Sequence, residues 1–160
     1  MRAGLYIGTS GWSYPGWKDD FFAGVPRKDW LRHYVTQFGA VKVNATFYGR
    51  LQPSTFERWE REAPAGVKFA IKGNRYLTHV SRLLFSPDAL ARKRDIVMTL
   101  GDKLAVVIWQ MPWSLKLDLP RIEGWLGEGR QVHVYFDNTD GGHAPKDALR
   151  LMAMLQPGSP

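Results

Sequence analysis

The chain has no cysteine, which excludes a disulfide framework, a thiolate metal site and a cysteine nucleophile, and fits a reducing compartment. No 18 apolar residues run together, so no transmembrane helix is expected. The first ten residues lack an apolar run of signal-peptide length, and a cytoplasmic protein is the expectation. Catalytic signatures are scarce too. No His-x-x-x-His or paired acidic motif proposes a metal, no cofactor is implied, and Ser10 has no G-x-S-x-G elbow around it. Acidic residues are in the minority, 15 Asp plus Glu against 22 Lys plus Arg, a formal charge of +7. That balance makes an acidic or phosphate-bearing partner worth testing without identifying a reaction.

What is present suits a globular protein. The 160 residues are 44% hydrophobic and 13% aromatic, enough for a real core and too apolar for a disordered chain. Short β-branched runs alternate with longer amphipathic segments. Five strands are expected, at 5–10 (LYIGTS), 41–46 (VKVNAT), 67–72 (VKFAIK), 104–110 (LAVVIWQ) and 131–137 (QVHVYFD). A helix candidate follows each. The first begins at Pro26 and spaces Trp30, Tyr34 and Phe38 by four. The second carries a Ser54/Glu57 capping box with Phe56 and Trp59. Ser86, Pro87 and Asp88 open the third, Leu119 and Pro120 a short fourth. Pro145 opens the last, which bears Leu149, Met152 and Leu155. This β-α order predicts an α/β fold with a parallel sheet and right-handed crossovers, in one domain over 1–160.

Within 41–46 a period of two sets Lys42, Asn44 and Thr46 on one face and Val41, Val43 and Ala45 on the other. Polar residues gather at the carboxyl ends of all five strands: Thr9 and Ser10, Asn44 and Thr46, Lys72, Gln110, Asp137 and Asn138. In parallel α/β sheets ligands bind at that edge. Lys72 can hold a phosphate or carboxylate, or act as a base if desolvated; otherwise it is a solvated surface lysine. Arg75 and His79 lie in the next loop, and histidine titrates near neutrality, which suits a proton carrier as well as a backbone-bonded loop residue. Asp137 with the Asn138 amide orients a base, holds a metal with outside help, or caps the Gly141–Gly142 turn. His143 opens the last helix, where an anion can be received. Asn44, Thr46 and Tyr48 offer polar contacts to a substrate. Trp12, Tyr14 and Trp17 either stack on a ring or plug the core. Arg27, Lys28, Arg32, Arg92, Lys93 and Arg94 read as solvated helix faces. Nucleic acid stays open as a partner class, with no recognised motif behind it.

Five segments together resemble the YecE-like family, a group of (β/α)-barrel proteins of unknown function: IGTSGWSYPGW (7–17), VKVNATFY (41–48), VKFAIKGNRYLTH (67–79), LGDKLAVVIWQMPWS (100–114) and VYFDNTDGGHAPKDALRL (134–151). The resemblance implies a TIM-barrel-like fold. It also implies two departures: Lys42 stands where the family pattern has Glu, and three strand-helix units between the fourth and last strands are missing, with a junction near 119–130. The strand spacing agrees. At about 31 residues per unit, eight units need roughly 250 residues and this chain has room for five.

The expectation is therefore an incomplete barrel sheet of about five strands, ordered last, first, second, third, fourth, with exposed edges. The 105–109 run (AVVIW) is an apolar, proline-free edge of the kind that pairs with another chain, so a homodimer is expected. The functional expectation is a polar, anion-holding site at the carboxyl edge. Lys72, His79 and Asp137 are its catalytic candidates, and Ser10, Trp12, Tyr14, Asn44, Thr46, Tyr48, Arg75, Gln110, Asn138 and His143 its binding residues. The reaction is not nameable and enzyme status is left open. The alternatives are a non-catalytic binding or assembly protein and a degenerate remnant.

Overall fold

The computed structural model describes residues 4–49, 51–84, 86–112, 114–115 and 143–154. The chain divides into two compact units, Met1–Gln110 and Met111–Pro160. In the first, four strands form one parallel sheet in the order β1 (Gly8–Ser10), β2 (Ala40–Val43), β3 (Lys68–Lys72) and β4 (Leu104–Ile108). Strand neighbours in space are neighbours in sequence, so each connection is a helical crossover. This is the parallel α/β sheet that the β-α alternation predicts, of the incomplete TIM-barrel type that the family resemblance implies. The expected fifth strand, 131–137, and the helix at 119–120 lie outside the described residues.

The helices follow from local chemistry. An aromatic stripe builds α1 (Trp30–Gln37): Trp30, Leu31, Tyr34 and Val35 share its buried face. It is entered through a 3-10 turn, Arg27–Asp29, rather than directly from Pro26. Pro53 opens α3 (Pro53–Glu62) and buries Phe56 and Trp59 one turn apart. The Ser54/Glu57 capping box does not form. Proline takes the first helical position, so Ser54 falls inside the turn and Gln52 becomes the cap without a side-chain bond. The helix stops at Ala63 because Pro64 drives the preceding residue to extended backbone (ψ 136°). In α4 (Pro87–Met98) Ser86 is the cap as expected, accepting the Ala89 N–H at 3.3 Å.

Val41, Val43, Phe69 and Ile71 point to the helix side of the sheet, where Phe22, Trp30, Tyr34, Phe56, Trp59 and Leu100 join them in one core. Alternate residues face the other way. Ser10, Lys42, Ala70 and Val106 form one row across that second face, and Lys72 and Ile108 the next. Val106 and Ile108 are 45% and 37% exposed there, and the four described strands make half of a barrel sheet. The register slips by one residue between β3 and β4, leaving Ala105 unpaired as a bulge. β1 and β2 approach closely: a Cβ on Gly8 would stand 1.7 Å from the Ala40 carbonyl oxygen, so only glycine fits.

Three strand boundaries differ from expectation by more than one residue. Residues 5–7 are exposed and outside β1, although the Ala40 N–H still donates to the Ile7 carbonyl at 3.1 Å. β2 ends at Val43. Asn44 turns to helical backbone (φ −92°, ψ −23°) and starts the single-turn α2 (Ala45–Tyr48), so Asn44, Ala45 and Thr46 leave the strand faces. Trp109 and Gln110 lie beyond β4. The second unit contributes α5 (His143–Met154), which starts two residues before Pro145 and exposes Leu149 and Met152.

Candidate functional site

The carboxyl edge of the first unit is tied together by short polar side chains. Tyr34, fully buried, sends its hydroxyl from α1 to β1, accepting the Thr9 N–H at 2.7 Å. Its proton goes to the Ala40 carbonyl (3.0 Å) or Thr9 Oγ1 (2.9 Å). Thr9 Oγ1 in turn donates to the Gly11 carbonyl at 2.5 Å. Ser10 Oγ accepts Asn44 Nδ2–H at 2.9 Å, joining the ends of β1 and β2. Thr46 is buried and its hydroxyl lies 2.6 Å from the Lys72 carbonyl oxygen, so α2 clamps the end of β3. Asn74 completes the brace. Its amide donates to the Thr46 and Gly49 carbonyls at 3.1 and 3.2 Å, while its oxygen accepts the Tyr76 N–H at 3.0 Å.

On this frame Lys72 Nζ stands 4.2 Å from the centre of the Phe47 ring. The edge of the same ring meets His79 at 5.2 Å, nearly perpendicular, so one aromatic carries both titratable groups. His79 is held from its other side by Thr78 Oγ1, 2.8 Å from Nδ1. A π-turn over Tyr76–Val80 presents it, closed by the Ser81 N–H on the Tyr76 carbonyl at 2.7 Å. Such turns are rare and concentrate at functional sites. Two consecutive left-handed residues follow, Arg82 (φ 49°) and Leu83 (φ 65°), each costing about 1–3 kcal/mol. Burial of Leu83 and its N–H bond to the Leu77 carbonyl at 2.8 Å hold that geometry.

The electrostatics are one-sided. Burial, then the charge of Lys42 on the neighbouring strand, lowers the Lys72 ammonium below its ordinary range. The Phe47 ring face works against that shift by favouring the ammonium. His79 is likewise lowered, by burial, then Arg75, then Lys72, which favours a neutral imidazole at pH 7. Among the described residues, none of Lys42, Lys72 and Arg75 has an ion pair.

Ser10, Asn44, Thr46, Lys72, Arg75 and His79 therefore share one edge. Tyr48 is 73% exposed beside Phe47. Tyr14 donates its hydroxyl to the Ser10 carbonyl and tilts against Trp17 at 5.0 Å. Trp12 packs edge-on against Trp59 at 5.3 Å, anchoring its loop to the core. Gln110 is exposed after β4. His143 is the first residue of α5, in the second unit. Asp137 and Asn138 lie outside the described residues. Phe47, Thr78, Asn74 and Lys42 were not expected as site residues. Lys42 was legible as a departure from a family pattern, and Asn74 as a turn former directly after a strand.

A parallel sheet with helical crossovers, cored on one face and polar at its carboxyl edge, defines a protein of the (β/α)-barrel class. The model of the family described as "Protein of unknown function DUF72" matches residues 6–121 and 114–159, and the chain belongs to that family, which the YecE-like resemblance anticipates. No curated protein matches it. A DUF72 family protein of Thermotoga maritima superposes with a TM-score of 0.54 at 24% identity, over 73% of this chain and 48% of that one. Another, from Enterococcus faecalis, gives a TM-score of 0.62 at 14% identity, over 93% and 57%. The chain thus spans about half the length of these solved relatives. No helix among the described residues is long and apolar enough to cross a membrane.

Proposed function

We propose that the carboxyl edge of the sheet binds a small anionic ligand. One observation carries this reading: Lys42 and Lys72 project from adjacent strands onto the same face, Arg75 follows, and no carboxylate among the described residues neutralises them. An anion relieves their mutual repulsion, so binding energy is available before any other contact. Ser10 and Asn44 supply neighbouring hydrogen-bonding groups. Calorimetric titration with inorganic phosphate tests it. Binding is expected, weakening with salt and falling by roughly tenfold, about 1.4 kcal/mol, in Lys72→Met. Unchanged binding in that variant would refute the site.

A second reading concerns assembly. Ala105, Val106 and Ile108 leave β4 with exposed apolar residues, and among the described residues it has a strand neighbour on one side only. A second copy pairing with this edge would cover them. Light scattering is expected to give a dimer that Val106→Lys dissociates, and a stable wild-type monomer would refute the pairing. We also read the chain as one domain shortened internally near 119–130. A single family model matching in two stretches supports this, because a chain lacking middle units interrupts such a match there.

A further inference from the structure

We propose that the carboxyl edge takes a nucleotide, its phosphate held between Lys72 and Arg75 and its base laid on the ring of Tyr48, which rests on the anion-binding reading above and names the ligand class. Charge sets the phosphate end. Lys72 Nζ lies over the Phe47 ring, a contact that favours the ammonium form. Beyond burial, Arg75 and then Lys72 lower the His79 pKa, so the two cations converge on one place. No described carboxylate pairs with either. A phosphate monoester carries about −1.5 to −2 charge at pH 7 and three acceptor oxygens, so it answers two cations where a carboxylate answers one. The arginine fork matches its oxygens two at a time.

Exposed rings set the base end. Of the four tyrosines that are exposed among the described residues, Tyr14, Tyr48 and Tyr76 stand on the segments that leave the carboxyl ends of β1, β2 and β3. Tyr48 is the most exposed of them. Its ring meets Phe47 edge-on at 5.0 Å, and the same Phe47 ring carries Lys72 Nζ at 4.2 Å, so the ammonium and the tyrosine are at most roughly 9 Å apart. A ribose bridges a gap of that size between a base and its phosphate. The two ends are also braced against each other: the Asn74 amide donates to the Gly49 carbonyl, next to Tyr48, and its oxygen accepts the Tyr76 N–H, next to Arg75. Ring and cation are thereby held in place before a ligand arrives, which lowers the ordering cost of binding. Any base has a π-face to lay on Tyr48, so the arrangement selects a nucleotide without fixing which base.

Calorimetric titration of the full chain with adenosine 5′-monophosphate (AMP), ribose 5-phosphate and inorganic phosphate provides the test, because the first two differ only in the base. AMP is expected to bind roughly tenfold more tightly than ribose 5-phosphate, as one base on one aromatic ring provides. Tyr48→Ala, checked for folding by circular dichroism, is expected to abolish that preference and Tyr48→Trp to keep it. Lys72→Met is expected to weaken AMP and ribose 5-phosphate by the same factor, which preserves their ratio. Equal affinities for AMP and ribose 5-phosphate, or a preference that survives Tyr48→Ala, would overturn the proposal. If inorganic phosphate still binds and still responds to Lys72→Met, the anion site stands and only the base assignment fails; if none of the three binds, both readings fall. An octa-adenylate that binds more than about eightfold tighter than AMP, and loses that gain as salt rises, would make the partner a nucleic-acid strand and overturn the single-nucleotide assignment.

Discussion

Replacing Tyr34 with Phe isolates a single hydroxyl at the junction of α1, β1 and β2. The ring is fully buried and lies 4.8 Å from Phe38 and 6.3 Å from Phe21, contacts that Phe retains. What disappears is one accepted bond from the Thr9 N–H and one donated bond to Ala40 or Thr9. Each is worth about 1 kcal/mol net, and a half-buried Thr9 N–H is stranded besides, so a loss of about 2–3 kcal/mol is expected. For a chain of this size that lowers Tm by roughly 4–12 °C. Thermal unfolding followed by circular dichroism measures the drop. A cycle with Thr9→Val is expected to return a coupling of about 0.5–1.5 kcal/mol. A Tyr34→Phe protein melting within about 1 °C of wild type would refute the view that this hydroxyl holds β1 in the sheet, and with it the explanation of how Ser10 reaches Asn44.

Three further outcomes follow from the same structure. His79 in the folded chain has a pKa below its ordinary 6.5, so the unfolded chain binds more protons just beneath that value. Stability from this residue is therefore present above pH 6.5 and is lost as the pH falls through the folded pKa. An NMR titration of the imidazole should show the lowered midpoint and its partial return in Arg75→Ala and Lys72→Met; an unmoved midpoint in both variants would contradict the assigned charges. Gly8→Ala is expected to cost roughly 3 kcal/mol or more, because its Cβ meets the backbone carbonyl of Ala40. Gly73→Ala meets the Trp109 side chain at 2.1 Å rather than backbone and should cost less, about 1–3 kcal/mol. Hydrogen exchange at the Ala40 amide, bonded to Ile7, should accelerate in the first variant only.

The parallel sheet, the helix cores and the gathering of Ser10, Asn44, Thr46 and Lys72 at one sheet edge were legible because each rests on repeated signals: period-two valines in β2, the Trp30–Tyr34 spacing in α1, polar residues closing successive strands. Boundaries were less legible wherever a tertiary bond decides them. The run VKVNATFY reads as one strand by β-branching. Yet the Phe47 N–H on the Asn44 carbonyl at 3.0 Å and the Thr46 hydroxyl on Lys72 bend it into a helical turn. That bend is also why Phe47 escaped notice as a site residue, since only the turn brings its ring to Lys72 and His79. The π-turn has no local signature in Tyr76–Val80 and depends on the left-handed pair that follows it.

The face of the sheet opposite the helices carries one more consequence. Lys42 and Lys72 share it with Ala70, Val106 and Ile108, side chains that any covering layer would bury gladly. A layer laid over that surface, whether from another segment of this chain or from a second molecule, removes two ammonium groups from water in the same step. Such a lid closes stably only if it arrives with matching negative charge or traps an anion beneath it. The two lysines thus act as an admission test on whatever completes the half-built barrel.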